Sequence, residues 1–135
     1  MLIVCDTNVL VSGLMNPNGP PGRIVDLILA NAVQVAFDDR IIGEYTTVLL
    51  RPRFGFRPAY VDALLDHIRL FGRQVTAMPL DPERSPHPQD LPFAEVALSG
   101  GVDALVTGNT AHFEFLPNSE ALVLSPAELV RRLAR

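Results

Sequence analysis

Short apolar runs separated by longer amphipathic stretches constrain the fold of this chain more than any other feature. Leu2-Ile3-Val4-Cys5 contains no charged or strongly polar residue, as a strand buried on both faces should. Pro20 to Asn31 reads as a helix with prolines at its amino end, and Val33 to Phe37 as a second strand. Asp38 or Asp39 caps a further helix over Ile41 to Leu50, which Pro52 stops. After a turn-rich break, RPRFGFRP, come a helix over Ala59 to Phe71 and a modest third strand over Gln74 to Ala77. The segment MPLDPERSPHPQDLP holds five prolines and reads as an ordered loop. A helix from Leu91 to Leu98 stops at Gly100-Gly101, and strands follow at Ala104 to Thr107 and Ala121 to Leu124. Ser125-Pro126-Ala127-Glu128 has the spacing of a capping box and opens a terminal helix. Alternation of this kind predicts an α/β fold with a parallel sheet, one three-layer domain over residues 1–135.

Composition narrows the chemistry. The net charge of −4 gives no general attraction to polyanions, so nucleic-acid binding must use a local basic patch or bound cations. All 11 basic residues are arginine. Without lysine, P-loop nucleotide hydrolysis, Schiff-base chemistry and receiver-domain phosphorylation are excluded. Cys5 has no partner for an internal disulfide, which points to a reducing, cytoplasmic setting. The apolar run at the amino terminus is too short for a secretion signal, and no window approaches the roughly 18 apolar residues of a membrane span.

Sites in open parallel sheets form beyond the carboxyl ends of the strands. Three polar clusters fall there or at helix starts: Asp6-Thr7-Asn8, Pro88-Gln89-Asp90 and Thr107-Gly108-Asn109. Asp6 either caps the helix that follows it or offers its carboxylate to a site, with Asn8 at the same rim. Glu44 lies beside the apolar stripe formed by Ile41, Ile42, Tyr45, Val48 and Leu49, where a glutamate either reaches to solvent or points into a cleft. Arg51, seven residues on, shares that face or serves the carboxyl end of its own helix. Asp90 precedes a helix and is compatible with both a cap and a ligand; Glu95 points elsewhere around that helix. Asn109 bonds its own turn or offers a neutral oxygen to a cation's water shell. His112 reads as a packing or capping residue, since no histidine or cysteine partner lies at zinc-site spacing. The donors are all oxygens, which suits Mg²⁺ or Mn²⁺.

Five anchors in order, DTNVLVSGL from Asp6, GEYTTVLLRPRF from Gly43, QDLPFAEVAL from Gln89, VDALVTGNTAHF from Val102 and the closing LSPAELV, resemble the PIN-domain family. The similarity runs nearly end to end and is to the branch described as toxins of toxin–antitoxin pairs (VapC-like ribonucleases). It implies an α/β/α sandwich with a central parallel sheet of four to five strands and an acidic pocket binding Mg²⁺ or Mn²⁺ for RNA cleavage. By position Asp6, Glu44 and Asp90 match the family's first three acids, the metal ligands. Asn109 stands where many members carry a fourth acid, which removes one negative charge and bears on a second metal. Thr7, Asn8, Arg51 and Thr107 become candidate substrate contacts, and Arg53 and Arg57 join Arg51 as guides for the RNA backbone. The implied partners are RNA, a cognate antitoxin protein and a second copy of the chain, with no membrane.

Two other readings stand beside this one. A PIN fold that has lost activity would only hold RNA or a protein partner, and Asn109 leaves that open. A haloacid-dehalogenase-type phosphatase needs a second aspartate two residues after the first, where this chain has Asn8, and a lysine that it lacks.

Overall fold

The computed structural model describes residues 1–134; Arg135, the last residue of the expected domain, lies outside the described residues. Five strands form one sheet: β1 (Leu2–Cys5), β2 (Gln34–Phe37), β3 (Arg73–Gln74), β4 (Ala104–Val106) and β5 (Val123–Leu124). Six helices accompany them: α1 (Thr7–Met15), α2 (Pro20–Leu29), α3 (Asp39–Leu49), α4 (Pro58–Phe71), α5 (Leu91–Gly100) and α6 (Pro126–Leu133). The strand order is β3-β2-β1-β4-β5, and all pairings are parallel. This is the α/β architecture with a central parallel sheet that the alternating pattern predicts.

Topology positions the site. The chain moves outward from β1 to β2 to β3, then returns through α5 to β4 on the far side of β1. Right-handed crossovers put helices that step in opposite directions on opposite faces of the sheet. Accordingly α5 packs across β1, β2 and β4, while α2 packs with α1, α4 and α6. Strand order reverses between β1 and β4, and their carboxyl ends lie side by side, with Cys5 opposite Val106. All four residues of β1 and all three of β4 are buried.

The helix ends follow from local chemistry. The Asp38 carboxylate accepts from the Ile41 amide at 3.1 Å and fixes the start of α3. Gly101, with φ of 58°, takes the left-handed conformation that ends α5. The Ser125–Glu128 capping box is formed in both directions.

The third strand is shorter than expected. Residues 74–77 carry strand-like letters, but β3 spans only Arg73–Gln74. Its partner β2 ends at Phe37, where Asp38 turns into α3, so the ladder closes with the Val75 amide donating to the Phe37 carbonyl at 2.8 Å. Pairing for β5 likewise begins only at the Leu122 carbonyl, which accepts from the Leu105 amide at 2.8 Å.

Candidate active site

Asp6 follows the last residue of β1, and Thr107 follows the last residue of β4. Because these strands are neighbours in register, the two side chains meet: the Thr107 hydroxyl donates to Asp6 Oδ2 at 2.8 Å. The Asp6 amide in turn donates to the Val106 carbonyl at 2.8 Å. Asp6 stands at the amino end of α1, yet its side chain makes no capping hydrogen bond there. A buried carboxylate that declines its cap is available for another use.

The other elements bring their acids to the same cleft, a cavity of about 370 Å³ lined by Asp6, Thr7, Asn8, Glu44, Asp90 and His112 among others. Helix α3 is held against the end of β1 because the buried Tyr45 hydroxyl donates to the Cys5 carbonyl, which places Glu44, one residue earlier, at the rim. The Glu44 carboxylate accepts from the Thr7 hydroxyl. Asp90 is buried at the start of α5; its side chain makes no cap hydrogen bond either, and its Oδ2 meets His112 Nδ1 at 3.1 Å. Behind it, the His87 and His112 rings stack at 3.9 Å between centroids. Asn8 accepts from the Gly108 amide at 3.0 Å and ties the turn after β4 to α1. Tyr45→Phe removes the side-chain hydrogen bond that the Cys5 carbonyl accepts; we expect a loss of about 1–2 kcal/mol, read as a shift in the urea midpoint.

Electrostatics mark the cluster. Burial, the dominant cause, pushes the Asp6 carboxyl up to about 6, and the Asp90 and Glu44 carboxylates push in the same direction; the Thr107 hydroxyl and the Thr7 amide partly oppose them. Burial likewise raises the Cys5 thiol, which is therefore not a nucleophile.

Not every expected residue reaches the cleft. Asn109 is exposed, and its amide donates to Thr107 Oγ1 at 3.0 Å; it is not among the residues lining the cavity. Arg51 is also exposed and absent from the lining, where Arg53 and Phe54 stand instead. Helix α3 ends at Leu49, so the helical spacing from Glu44 to Arg51 no longer applies, and the turn over Pro52–Phe54 swings Arg53 inward. Glu95 is buried but occupied elsewhere: it accepts from Arg40 at 2.7 Å and from the Leu80 amide at 2.8 Å. His112, read from the sequence as a packing or capping residue, is a partner of Asp90; its only signal in the sequence is its place three residues after Asn109, within TGNTAH.

Among the described residues, no three histidine, cysteine, aspartate or glutamate side chains close around a point as a complete metal cage. The donors nevertheless fit a hard cation. They are carboxylate and hydroxyl oxygens, two of the carboxylates are buried, and Mg²⁺ commonly takes one or two carboxylates while keeping several waters.

The family model for the PIN domain matches residues 2–111. This chain belongs to the PIN-domain family. PIN domains are nucleases that generally use divalent metals. An uncharacterized protein of Methanocaldococcus jannaschii is 42% identical over 55 residues, which cover 41% of this chain and 30% of that protein. The matched stretch is thus less than a third of that relative's length. In structure, this PIN domain is similar to a chain of VapBC2 from Rickettsia felis, crystallised bound to a DNA fragment from their promoter. That match has a TM-score of 0.57 at 17% identity and covers 93% of this chain and 98% of the other, a likeness of fold. Among the described residues, no helix is long and apolar enough to cross a membrane.

Proposed function

We propose that this PIN domain is a divalent-cation-dependent ribonuclease, and that it is the toxin of a toxin–antitoxin pair. The observation that carries the reading is Asp6: a carboxylate that caps nothing, stands beside Asp90 and Glu44, and is pushed up to about 6 first by its burial and then by those two neighbouring carboxylates. A protein sustains such a carboxylate where a cation completes the site.

In this reading Asp6 and Asp90 hold Mg²⁺ or Mn²⁺, with Glu44 contributing directly or through water. The cation, when bound, activates water as a nucleophile and stabilises charge developing on the phosphoryl oxygens. Thr107 fixes the rotamer of Asp6, and His112 fixes that of Asp90. Glu44, with one carboxylate oxygen held by Thr7, takes the proton of the attacking water on the other. Arg53 at the rim meets the phosphate. Asn8 holds the turn after β4, and Asn109 and Arg51, both exposed, act outside the cleft on the approaching chain. The toxin role, a cognate antitoxin that blocks the cleft, pairing of two copies and action in the cytoplasm extend the likeness to the VapBC2 chain.

The test is cleavage of single-stranded RNA by the purified protein. Cutting should require Mg²⁺ or Mn²⁺, stop with a chelator, and fall at least about a hundredfold in Asp90→Asn. Absence of cleavage with either cation across a diverse RNA pool would sink the nuclease reading. The toxin role is tested separately, by growth arrest on expression and its relief by the product of the adjacent reading frame.

A further inference from the structure

We propose that the segment from Arg51 to Arg57 is a base-stacking subsite for single-stranded RNA at the edge of the acidic cleft, an inference that rests on the ribonuclease reading above. Two independent features meet in these seven residues. The first is a stack. Gly55 takes a left-handed conformation, φ 65° and ψ 20°, and this reverses the chain between Phe54 and Phe56. Their rings then lie nearly parallel, 14° apart in tilt and 5.5 Å between centroids, with the Arg53 guanidinium 4.8 Å from the Phe54 centroid. The second is charge. Arg51, Arg53 and Arg57 are all exposed and, among the described residues, in no ion pair; the same holds for Arg23, Arg73, Arg131 and Arg132, but here three such arginines fall within seven residues at the cleft.

Position joins the two. Arg53 and Phe54 line the same cavity as Asp6 and Asp90, so a nucleotide whose phosphate reaches the acids has its base beside the Phe54–Arg53 stack. Aromatic and guanidinium planes bind unpaired bases with little regard to sequence, and exposed arginines follow the backbone. A duplex hides the faces of its bases within its own stack, so this surface selects single strands. The arginines also answer the difficulty posed by a net charge of −4, by placing local positive charge where the substrate enters.

The chain contains no tryptophan, so Phe54→Trp creates a single fluorescent reporter. In an Asp6→Asn background, chosen to stop cleavage while leaving the Arg51–Arg57 segment intact, a short single-stranded RNA should quench that emission and its duplex should not. Phe54→Ala in the same background should weaken binding of the single strand about tenfold, while Phe54→Tyr should stay within about twofold. Retention of the parent's circular dichroism by Phe54→Ala separates this loss from misfolding; if that variant unfolds, the tryptophan reporter and the tyrosine variant decide. Binding of labelled RNA seen by anisotropy with no quenching, or equal quenching by the duplex, overturns the subsite and leaves the nuclease reading standing. If the parent neither binds nor cuts RNA, both fall. Quenching by the antitoxin alone also overturns the subsite and makes the segment a protein-docking surface.

Discussion

Asp6→Asn should abolish cleavage and at the same time make the protein more stable. The two effects have one cause. Asparagine keeps the shape and an oxygen that can accept from Thr107, but it removes a buried charge that sits among other carboxylates. In the folded parent this carboxyl titrates at about 6, above its ordinary value of 3.8. Between those two values the folded chain retains a proton that the unfolded chain has lost. Stability from this group is therefore fully present below about pH 4 and is lost as pH rises through 6. The penalty at pH 8 is on the order of 3 kcal/mol, and the asparagine variant escapes it. Thermal unfolding of both proteins at pH 4 and pH 8, without divalent cations, should show the variant ahead only at the higher pH. Mn²⁺ should then raise the midpoint of the parent and leave that of the variant nearly unchanged. Cleavage by the variant should be down by at least about a hundredfold. A variant less stable than the parent at pH 8 would show that Asp6 is held by attractive contacts, not by a compromise among repelling ones.

Gly22→Ala should be strongly destabilising, for among the glycines it is the one whose added Cβ would come closest to a backbone atom. A Cβ there would stand 2.2 Å from the Pro17 carbonyl oxygen and 2.4 Å from its carbon, and neither atom belongs to a side chain that can turn away. Either the first turn of α2 or the loop before it must shift. Helix α2 packs against α1, α4 and α6, so the strain spreads through one whole side of the sheet. We expect a loss of about 3 kcal/mol and a melting temperature lower by roughly ten degrees. Gly43→Ala is the control: nothing lies within 4 Å of its added Cβ, it sits inside α3, and alanine there should stabilise by up to about 1 kcal/mol. Equal effects from the two substitutions would mean that close approach is not what requires glycine at position 22.

The sequence carries most of the architecture because the central elements announce themselves through burial. Leu2–Cys5 has no polar face and occupies the middle of the sheet, where none is needed. The caps at Asp38, Gly101 and Ser125 are local events and are legible for that reason. Edge strands are less so. Whether residues 74–77 pair depends on where β2 stops, and that is decided by Asp38, far away in the chain.

The same division runs through the site. Asp6 is visible as the first acid after an apolar run. The partnership of Asp90 with His112 spans 22 positions, and that of Glu95 with Arg40 spans 55; neither spacing has a period that could betray it. The exchange of Arg51 for Arg53 turns on α3 ending at Leu49, two residues before Arg51, so that the helical spacing from Glu44 does not carry through to it.

Asp6 hangs from the central strand of the sheet, whereas Asp90 ends a proline-rich loop and Arg53 sits in a turn. The carboxylate at the centre is therefore anchored by the sheet, while substitutions in the loop and the turn can reshape the margin of the cleft without loosening it.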